Sequence, residues 1–336
     1  MPPTWEQRRR AEAEARAVAL RERVRAGDTE SVRHDIFGQI DESGIWLMFQ
    51  PLKNLYGFYQ RIEDVAGIVI HSGHPRSLQR YTAAHEYGHH VLGHTHSFDT
   101  QAEIEGRPGG DGDPLAEIEA QAFAGALLMP LHLVNHVAAE QGMDLAEPTA
   151  PHVYSMAVRF GVSYAAMRTQ LRAYDLITRD AYMALDIAPV SIKEFIGDGE
   201  APADRRADLW RMTGGEVPAG LPLHVADELI LDVPETASTG YRWRFGIDAS
   251  VLELVDDRSS ELEDADQLGS ERVRSLRFRA ASPGLSRLHL GLSRAFGDQT
   301  EVAAVEVDVE VASPLTGEAE SGLYVEQQAM LAARRR

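Results

Sequence analysis

The most informative pentapeptide in this sequence is His85-Glu86-Tyr87-Gly88-His89, which lies in a run, residues 78–92, that predicts one helix. At about 100° per residue, His85 and His89 fall on the same face one turn apart, so both imidazoles can bind one metal ion. Glu86 can then accept a proton from a water at the open side of that metal. The spacing therefore indicates metal-dependent hydrolysis.

Chance is the competing explanation of this pattern, because the chain has 13 His and several of them cluster here. The neighbouring sequence favours a real site. Ser77 is the predicted N-cap, and a β-branched run at residues 67–71 predicts a buried strand just before the helix. An apolar stripe is expected to hold the helix against a core. The stripe consists of Tyr81, Ala84, Gly88, Val91 and Leu92.

Two histidines leave a catalytic zinc one protein ligand short. A third His in the metzincin register is excluded, because Thr95 occupies that position. The next predicted helix starts at Pro114 and ends before Pro130. On its wheel, Glu117 lies about 50° from the centre of the apolar face and Glu119 about 110° away. We therefore predict that Glu117 is the third ligand and that Glu119 caps, pairs or lies behind the ligands; two solvated acids are the alternative. The apolar face is Ala120, Phe123, Ala124, Leu127 and Leu128.

Three separated motifs now occur in order: residues 80–89, residues 117–124 and the Leu-Leu-Met-Pro of residues 127–130. Together they resemble the ImmA/IrrE family of metallopeptidases, over about residues 31–180. Gln121 stands where the family usually has Asn, a departure that leaves the ligand position intact.

This resemblance implies a mainly helical, zincin-like peptidase domain with a small sheet. It implies Zn²⁺ held by His85, His89 and Glu117, with Mn²⁺ as an alternative ion, and Glu86 as the general base. It further implies a protein substrate, such as a transcriptional repressor of the helix-turn-helix type, and a role in stress responses.

Composition limits the other function classes. A chain of 336 residues with 44 % hydrophobic content can form two domains, and the absence of Cys excludes disulfides and thiolate ligands. No apolar run has the length of a membrane span and no secretion signal is evident, so we expect a cytoplasmic protein.

The turn at residues 157–163 also resembles a DNA-reading helix pair. A net charge of −19 would repel phosphates, and this disfavours direct nucleic-acid binding.

The helical periodicity of the sequence ends near Asp186. Glycines and prolines between residues 186 and 222 predict a linker. After it, alternating apolar and polar residues predict strands of an antiparallel sandwich. The runs are residues 228–233, 272–279, 286–292 and 301–311. The last run should bury one face, formed by Val302, Val305, Val307, Val309 and Val311.

Within this region, residues 239–243, 268–270 and 293–297 are similar to the three loops of chagasin-type inhibitors of papain-like cysteine proteases. The resemblance implies an immunoglobulin-like sandwich whose loops contact another protein. The recognition residues would be Thr239, Gly240, Tyr241, Arg294 and Phe296. Each loop departs from the family: the first lacks its Asn-Pro start, the second has one Gly, and Arg-Pro-Trp has become Arg-Ala-Phe. Docking to another protein is the alternative to protease inhibition for this domain. For Trp243, the alternative is ordinary packing in the core.

The sequence thus predicts an α+β multidomain protein. Its parts are an N-terminal helix at residues 1–30, a peptidase domain at 31–185, a linker at 186–222, a sandwich at 223–313 and a tail at 314–336. The favoured function is a zinc-dependent endopeptidase of narrow specificity with a sandwich for recognition or restraint. The alternative is an inhibitor or binding protein whose peptidase half is a scaffold.

Overall fold

The structure of the chain is a computed structural model that describes residues 3–63, 65–94, 96–100, 113–214, 220–235, 240–261, 272–294 and 300–312. These residues form two compact units, and the boundary between them lies between Asp186 and Ile187. The predicted tail at residues 314–336 lies outside the described residues.

The first unit combines helices with one sheet. The described helices are α1 (Trp5–Arg25), α2 (Ile36–Glu42), α3 (Arg76–Leu92), α4 (Pro114–Leu128), α5 (Leu131–Glu140), α6 (Ala150–Phe160), α7 (Tyr164–Ala173) and α8 (Arg179–Ala184). The strands are β1 (Trp46–Gln50), β2 (Leu55–Ile62), β3 (Val65–His71) and β4 (His96–Thr100), in the order β1-β3-β2-β4. β1 pairs with β3 in parallel, whereas β2 is antiparallel to both β3 and β4. The prediction of a mainly helical unit with a small sheet is confirmed.

The first helix is part of this unit rather than a separate element. Thr4 and Gln7 form a capping box at its start. Ala11, Ala15 and Ala19 are buried at four-residue spacing, and α1 packs against α4 along this face. Small side chains on one face allow two helix backbones to approach closely, while the rest of α1 is largely solvated.

The helix of the pentapeptide begins earlier than predicted. Ser77 is not its N-cap: the cap position is Pro75, whose carbonyl accepts hydrogen bonds from the backbone N–H groups of Leu78 and Gln79, each at 3.0 Å. Pro75 has the extended ψ of 148° that precedes a helix. The helix therefore begins at Arg76, and Ser77 lies inside its first turn. The predicted stripe is also too narrow, because α3 is buried on most of its circumference between Gln79 and His89.

The helix that carries Glu117 has the predicted limits. Asp113 caps α4 by accepting from the Leu115 N–H at 3.0 Å, and the helix ends at Leu128, before Pro130. All five residues of its predicted apolar face are buried. Among the described residues, no single helix is both long and apolar enough to cross a membrane; α4 and α5 pass that test only as a pair bent by 43°.

The segment that resembles a DNA-reading helix pair consists of α6 and α7. α6 ends at Gly161, which has a positive φ of 66°, and Ser163 caps α7 through the N–H of Ala166. The two helices contact each other, and Met167 and Leu171 of α7 are fully buried. These helices thus contribute to the packing of the unit.

The second unit is rich in strands. It contains α9 (Pro189–Ile196) and the strands β5 (Leu209–Thr213), β6 (Gly220–His224), β7 (Glu228–Glu235), β8 (Tyr241–Gly246), β9 (Leu252–Glu261), β10 (Arg272–Ala280), β11 (Gly284–Arg294) and β12 (Ala303–Ala312). They form two four-stranded sheets, β5-β7-β10-β9 and β6-β12-β11-β8. Phe245 and Phe278, one from each sheet, meet edge to face at 5.6 Å. Two packed sheets are therefore present, and the finer immunoglobulin-like assignment stays a prediction.

The predicted linker needs correction. Residues 187–222 contain α9, all of β5 and the start of β6. β5 pairs in parallel with β7 and β6 with β12, and each is an edge strand of its sheet. Arg211 of β5 donates to the Ile196 carbonyl at 2.6 Å, which ties α9 to its sheet. Pro222 is compatible with β6 because β6 is an edge strand. Gly214 follows β5 and Gly220 begins β6, so the described part of this segment is not an open linker.

The last strand is shorter at its start than predicted. Val307, Val309 and Val311 are buried, as expected, but Val302 is 58 % exposed and lies before β12. The alternation therefore describes the inner face only from the middle of the strand onward.

Candidate functional site

Three predicted ligands converge between α3 and α4. His85 Nε2 lies 3.1 Å from His89 Nε2 and 3.3 Å from a carboxylate oxygen of Glu117. The other Glu117 oxygen lies 3.5 Å from His89 Nε2. The ligand atoms of the three residues all lie within 4.8 Å of one another, a spacing that one metal ion can bridge. We call these three residues the metal centre; their role as ligands stays a prediction.

A glycine allows the two helices to approach this closely. Gly88 lies between the two histidines, and a Cβ at this position would be 2.9 Å from Phe123 Cδ1 and 3.4 Å from Ala120 Cα. Phe123 and Ala120 belong to α4, so the missing side chain of Gly88 sets the separation of the helices. The i, i+4 spacing on α3 places the imidazoles, and the contact at Gly88 brings the carboxylate to them.

The predicted general base shares this buried environment. Glu86 is 0 % exposed, and His85 and His89 are each 1 % exposed. The Glu117 side chain keeps 20 % exposure, so the metal centre is open to solvent on the carboxylate side. Glu86 thus shares the burial of the two histidines, and its role as general base stays a prediction.

The charge of Glu117 suits a cation. Burial by itself would raise the pKa of this carboxyl, but hydrogen bonds with His85 and His89, together with their charges, hold the pKa well below its usual range. Glu117 is therefore a carboxylate at neutral pH, the form that binds metals.

Sequence reasoning missed a residue behind His89. His94 Nδ1 lies 2.9 Å from His89 Nδ1, and His94 Nε2 lies 3.1 Å from a carboxylate oxygen of Glu119. Two of the three roles predicted for Glu119, pairing and a position behind His89, both describe this contact with His94. His94 follows the end of α3, where helical spacing no longer applies, so no periodic signal could have identified it.

A second missed residue links the metal centre to the first helix. Tyr87 is fully buried, its hydroxyl donates to Glu22 at 2.7 Å, and it accepts from Arg25 at 2.9 Å. Burial raises the pKa of Tyr87, so the hydroxyl keeps its proton. Because Glu22 and Arg25 belong to α1, the pentapeptide is anchored by residues far from it in sequence.

The predicted recognition residues are partly described. Thr239, Phe296 and residues 268–270 lie outside the described residues. Tyr241 and Arg294 are register partners in β8 and β11, and the Arg294 guanidinium carbon lies 5.5 Å from the centre of the Tyr241 ring. Gly240 precedes them with a φ of 74°, a conformation that favours glycine. We call Gly240, Tyr241 and Arg294 the strand-end surface.

The ends of the neighbouring strands meet at this same place. Glu235, the last residue of β7, pairs with Arg272, the first of β10, and Arg272 pairs with Glu261 at the end of β9. The backbone N–H of Trp243 donates to Glu235 at 3.4 Å, which joins these ends to β8. The strand ends that flank all three predicted loops are therefore gathered at one end of the two sheets.

Trp243 itself belongs to the core. It is 6 % exposed, and its indole N–H donates to the Pro234 carbonyl at 2.8 Å. The core-packing interpretation of this residue is confirmed.

Comparison with known families agrees with both halves of this description. Residues 40–172 match the profile of the M78 peptidases, described as the IrrE N-terminal-like domain. The first unit carries a metallopeptidase-type domain. Residues 222–311 match the chagasin family peptidase inhibitor I42, so the second unit carries a chagasin-like domain. Both resemblances seen in the sequence are confirmed, and α1 lies outside the matched peptidase segment.

Solved structures give weaker similarities. The cysteine protease inhibitor EhICP2 from Entamoeba histolytica is 19 % identical over 32 % of this chain and 97 % of its own, with a TM-score of 0.30. PbICP-C, solved in complex with falcipain-2, is 18 % identical over 32 % of this chain and 91 % of its own, with a TM-score of 0.24. A search of the curated proteins finds no match.

Proposed function

We propose that this protein is a zinc-dependent endopeptidase with narrow specificity. The observation that carries the proposal is the convergence of His85, His89 and Glu117 within 4.8 Å, inside a domain that matches a peptidase family. Two imidazoles and one carboxylate form a ligand set typical of catalytic zinc sites that keep one position open. Mn²⁺ remains the alternative ion.

The donor atoms fit a divalent cation. His85 and His89 each direct Nε2 toward the Glu117 carboxylate, and that carboxylate is ionised. When bound, zinc lowers the pKa of a water and polarises the carbonyl of the scissile peptide bond. The three side chains would hold the ion in place, because two come from one rigid helix and the third from a helix packed against it.

Glu86 carries the proton transfer in this proposal. Its carboxylate accepts a proton from the water as that water attacks the peptide carbonyl, and it returns the proton to the amine that leaves. Glu86 follows His85 directly in α3 and is fully buried, which supports this role. An amide at this position could not accept the proton.

The substrate is a protein, since the matched family is one of peptidases. We propose a regulatory protein, such as a helix-turn-helix repressor, and this rests on the family resemblance. The net charge of −19 supports a protein rather than DNA as the main partner. We further propose that the chagasin-like unit recruits or restrains, and that the protein acts in the cytoplasm during stress responses. Cell fractionation tests the location.

The test of the proposal compares Glu86→Gln and Glu117→Ala with the unchanged chain. Glu86→Gln should retain zinc and the fold but lose cleavage by at least about 10²-fold, because the general base is gone. Glu117→Ala should lose zinc as well as cleavage. Zinc content is measured by elemental analysis, and cleavage by the appearance of fragments of repressors encoded beside this gene.

Three results would contradict parts of the proposal. A Glu86→Gln chain that still cleaves a confirmed substrate excludes the general-base role. An unchanged chain that binds no divalent ion excludes the metal centre itself. A Glu119→Ala chain that loses its ion while Glu117→Ala keeps it would show that the third ligand is Glu119.

Inhibition of a papain-like cysteine protease is the second candidate function, with the peptidase half as a scaffold. The match of residues 222–311 to an inhibitor family and the gathered strand ends support it. The full chain is titrated against papain, and a fall in papain activity at equimolar chain supports inhibition. Unchanged papain activity at a large excess of the chain excludes papain as the target.

A further inference from the structure

His94 and Glu119 form a chain of contacts that ends on a ligand of the metal centre. Glu119 contacts His94 Nε2 at 3.1 Å, and His94 Nδ1 contacts His89 Nδ1 at 2.9 Å. His89 Nε2, on the other side of the same ring, faces His85 and Glu117. The contacts of His94 are therefore with the ring nitrogen of His89 that points away from the metal centre.

The chemistry of imidazole assigns each atom in this chain one role. A metal bound at His89 Nε2 uses the lone pair of that nitrogen, so the ring proton of His89 must be on Nδ1. That N–H can donate to His94 Nδ1, provided that His94 Nδ1 is unprotonated. The proton of His94 is then on Nε2, where it donates to the Glu119 carboxylate. With these protons, each of the two contacts has one donor and one acceptor.

The local fold holds His94 in this position. Gly93 ends α3 with a φ of 79°, and the backbone N–H of His94 then donates to the His89 carbonyl at 2.9 Å. The chain thus turns back on the last helical turn, and the His94 ring returns to the ring of His89. Glu119 reaches His94 from α4, two residues beyond Glu117, so one helix supplies both a ligand and the end of the chain of contacts.

We propose that His94 and Glu119 are positioning residues that fix the tautomer and orientation of His89 and thereby tighten metal binding. His94 does not bind the metal. The proposal rests on the metal centre of the proposed function. Outer partners of metal-binding histidines typically change metal affinity by about 10 to 100-fold when removed, which sets the size of the effect.

The experiment measures the affinity of the full-length, metal-free chain for Zn²⁺ by competition with a chromogenic chelator. His94→Ala should weaken zinc binding by about 10 to 100-fold. His94→Asn should recover most of that loss, because its side-chain oxygen can accept from the Nδ1–H of His89. Glu119→Ala, on the other helix, should weaken binding less than His94→Ala does. The absorption spectrum of bound Co²⁺ should keep its band positions in His94→Ala, since no ligand is removed.

His90→Ala is the matched control. His90 is the neighbour of His89 and contacts the Tyr59 hydroxyl at 3.2 Å, so this variant loses an imidazole of the same helix without touching the chain of contacts. Its zinc affinity should equal that of the unchanged chain. The melting temperature of each metal-free variant reports folding, and Glu119→Ala carries the test if His94→Ala does not fold.

Several outcomes overturn the proposal. Zinc affinity of both His94→Ala and Glu119→Ala within twofold of the unchanged chain removes the positioning role, and so does His94→Asn binding as weakly as His94→Ala. Altered Co²⁺ bands in His94→Ala would make His94 a ligand. If the unchanged chain binds zinc and Glu117→Ala does not, these results overturn the positioning role alone. An unchanged chain without zinc binding overturns both proposals.

Discussion

The metal centre and the strand-end surface place their functional groups in opposite environments. His85 and His89 are 1 % exposed and are held by two packed helices, whereas Arg294 is exposed at the end of a strand and Tyr241 is half-buried. In a buried site, every change in packing reaches the functional atoms. At an exposed strand end, a side chain can change with little cost to folding. The two regions should therefore respond to mutation in different ways.

Arg23→Ala should have the largest effect, on the folding of the unit that holds the metal centre. Arg23 is 1 % exposed and donates to the carbonyls of Leu127 at 3.1 Å and Asp28 at 2.7 Å. It thereby joins α1 to the end of α4. Removing a buried charged donor leaves buried acceptors unpaired, and we expect unfolding free energy to fall by about 3 kcal/mol. Urea unfolding of the metal-free chain measures this loss of free energy.

Arg21→Ala is the control for this prediction. Arg21 lies on the exposed side of the same helix, so the change removes an equal charge and an equal side chain from solvent. Its effect should stay within about 0.5 kcal/mol. Equal losses for the two variants would show that the buried hydrogen bonds of Arg23 do not stabilise the fold, and the buried region would then be less sensitive than the comparison requires.

The same contacts explain what the sequence could and could not predict. The positions of His85, His89 and Glu117 follow from helical spacing within single elements, and the structure brings these residues together. The bond from Tyr87 to Glu22 joins residues 65 positions apart, and no periodicity describes such a pair. The sequence analysis did not predict β5 and β6 for the same reason. Each is a short strand that pairs in parallel with another strand, β7 or β12, and that pairing is determined only when the sheets assemble.

Gly88→Ala should have an intermediate effect, and it tests whether helix separation controls the metal centre. The added methyl would meet Phe123 Cδ1 at 2.9 Å, so α3 and α4 must separate or Phe123 must shift. Overpacking of this kind costs about 1–3 kcal/mol. Because Glu117 is carried by α4, we expect weaker zinc binding together with a lower melting temperature. Chelator competition and thermal unfolding measure the two effects.

Gly67→Ala provides the matched glycine. Gly67 lies in β3 of the same unit, and a Cβ there would meet its nearest neighbour, the Trp46 carbonyl oxygen, at an ordinary 3.7 Å. Stability and zinc affinity should both remain close to those of the unchanged chain. If Gly88→Ala is as harmless as Gly67→Ala, the helices tolerate the extra methyl and their separation does not set the metal centre.

Arg294→Ala should have the smallest effect on folding and still impair recognition. Arg294 is exposed, and its contact with the Tyr241 ring at 5.5 Å contributes about 0.5–1 kcal/mol at most, since such contacts are weak in water. An arginine beside an aromatic ring is nevertheless a frequent anchor in protein interfaces.

Arg287→Ala is the control: Arg287 is an exposed arginine of the same strand, and it pairs with Asp308 at 2.7 Å. The two variants should melt within a few degrees of the unchanged chain. Binding of the full chain to papain and to the confirmed substrate, measured by surface plasmon resonance, should weaken in Arg294→Ala and persist in Arg287→Ala. Equal binding by both variants would show that the strand-end surface does not carry recognition, even though its strands are gathered as the resemblance implies.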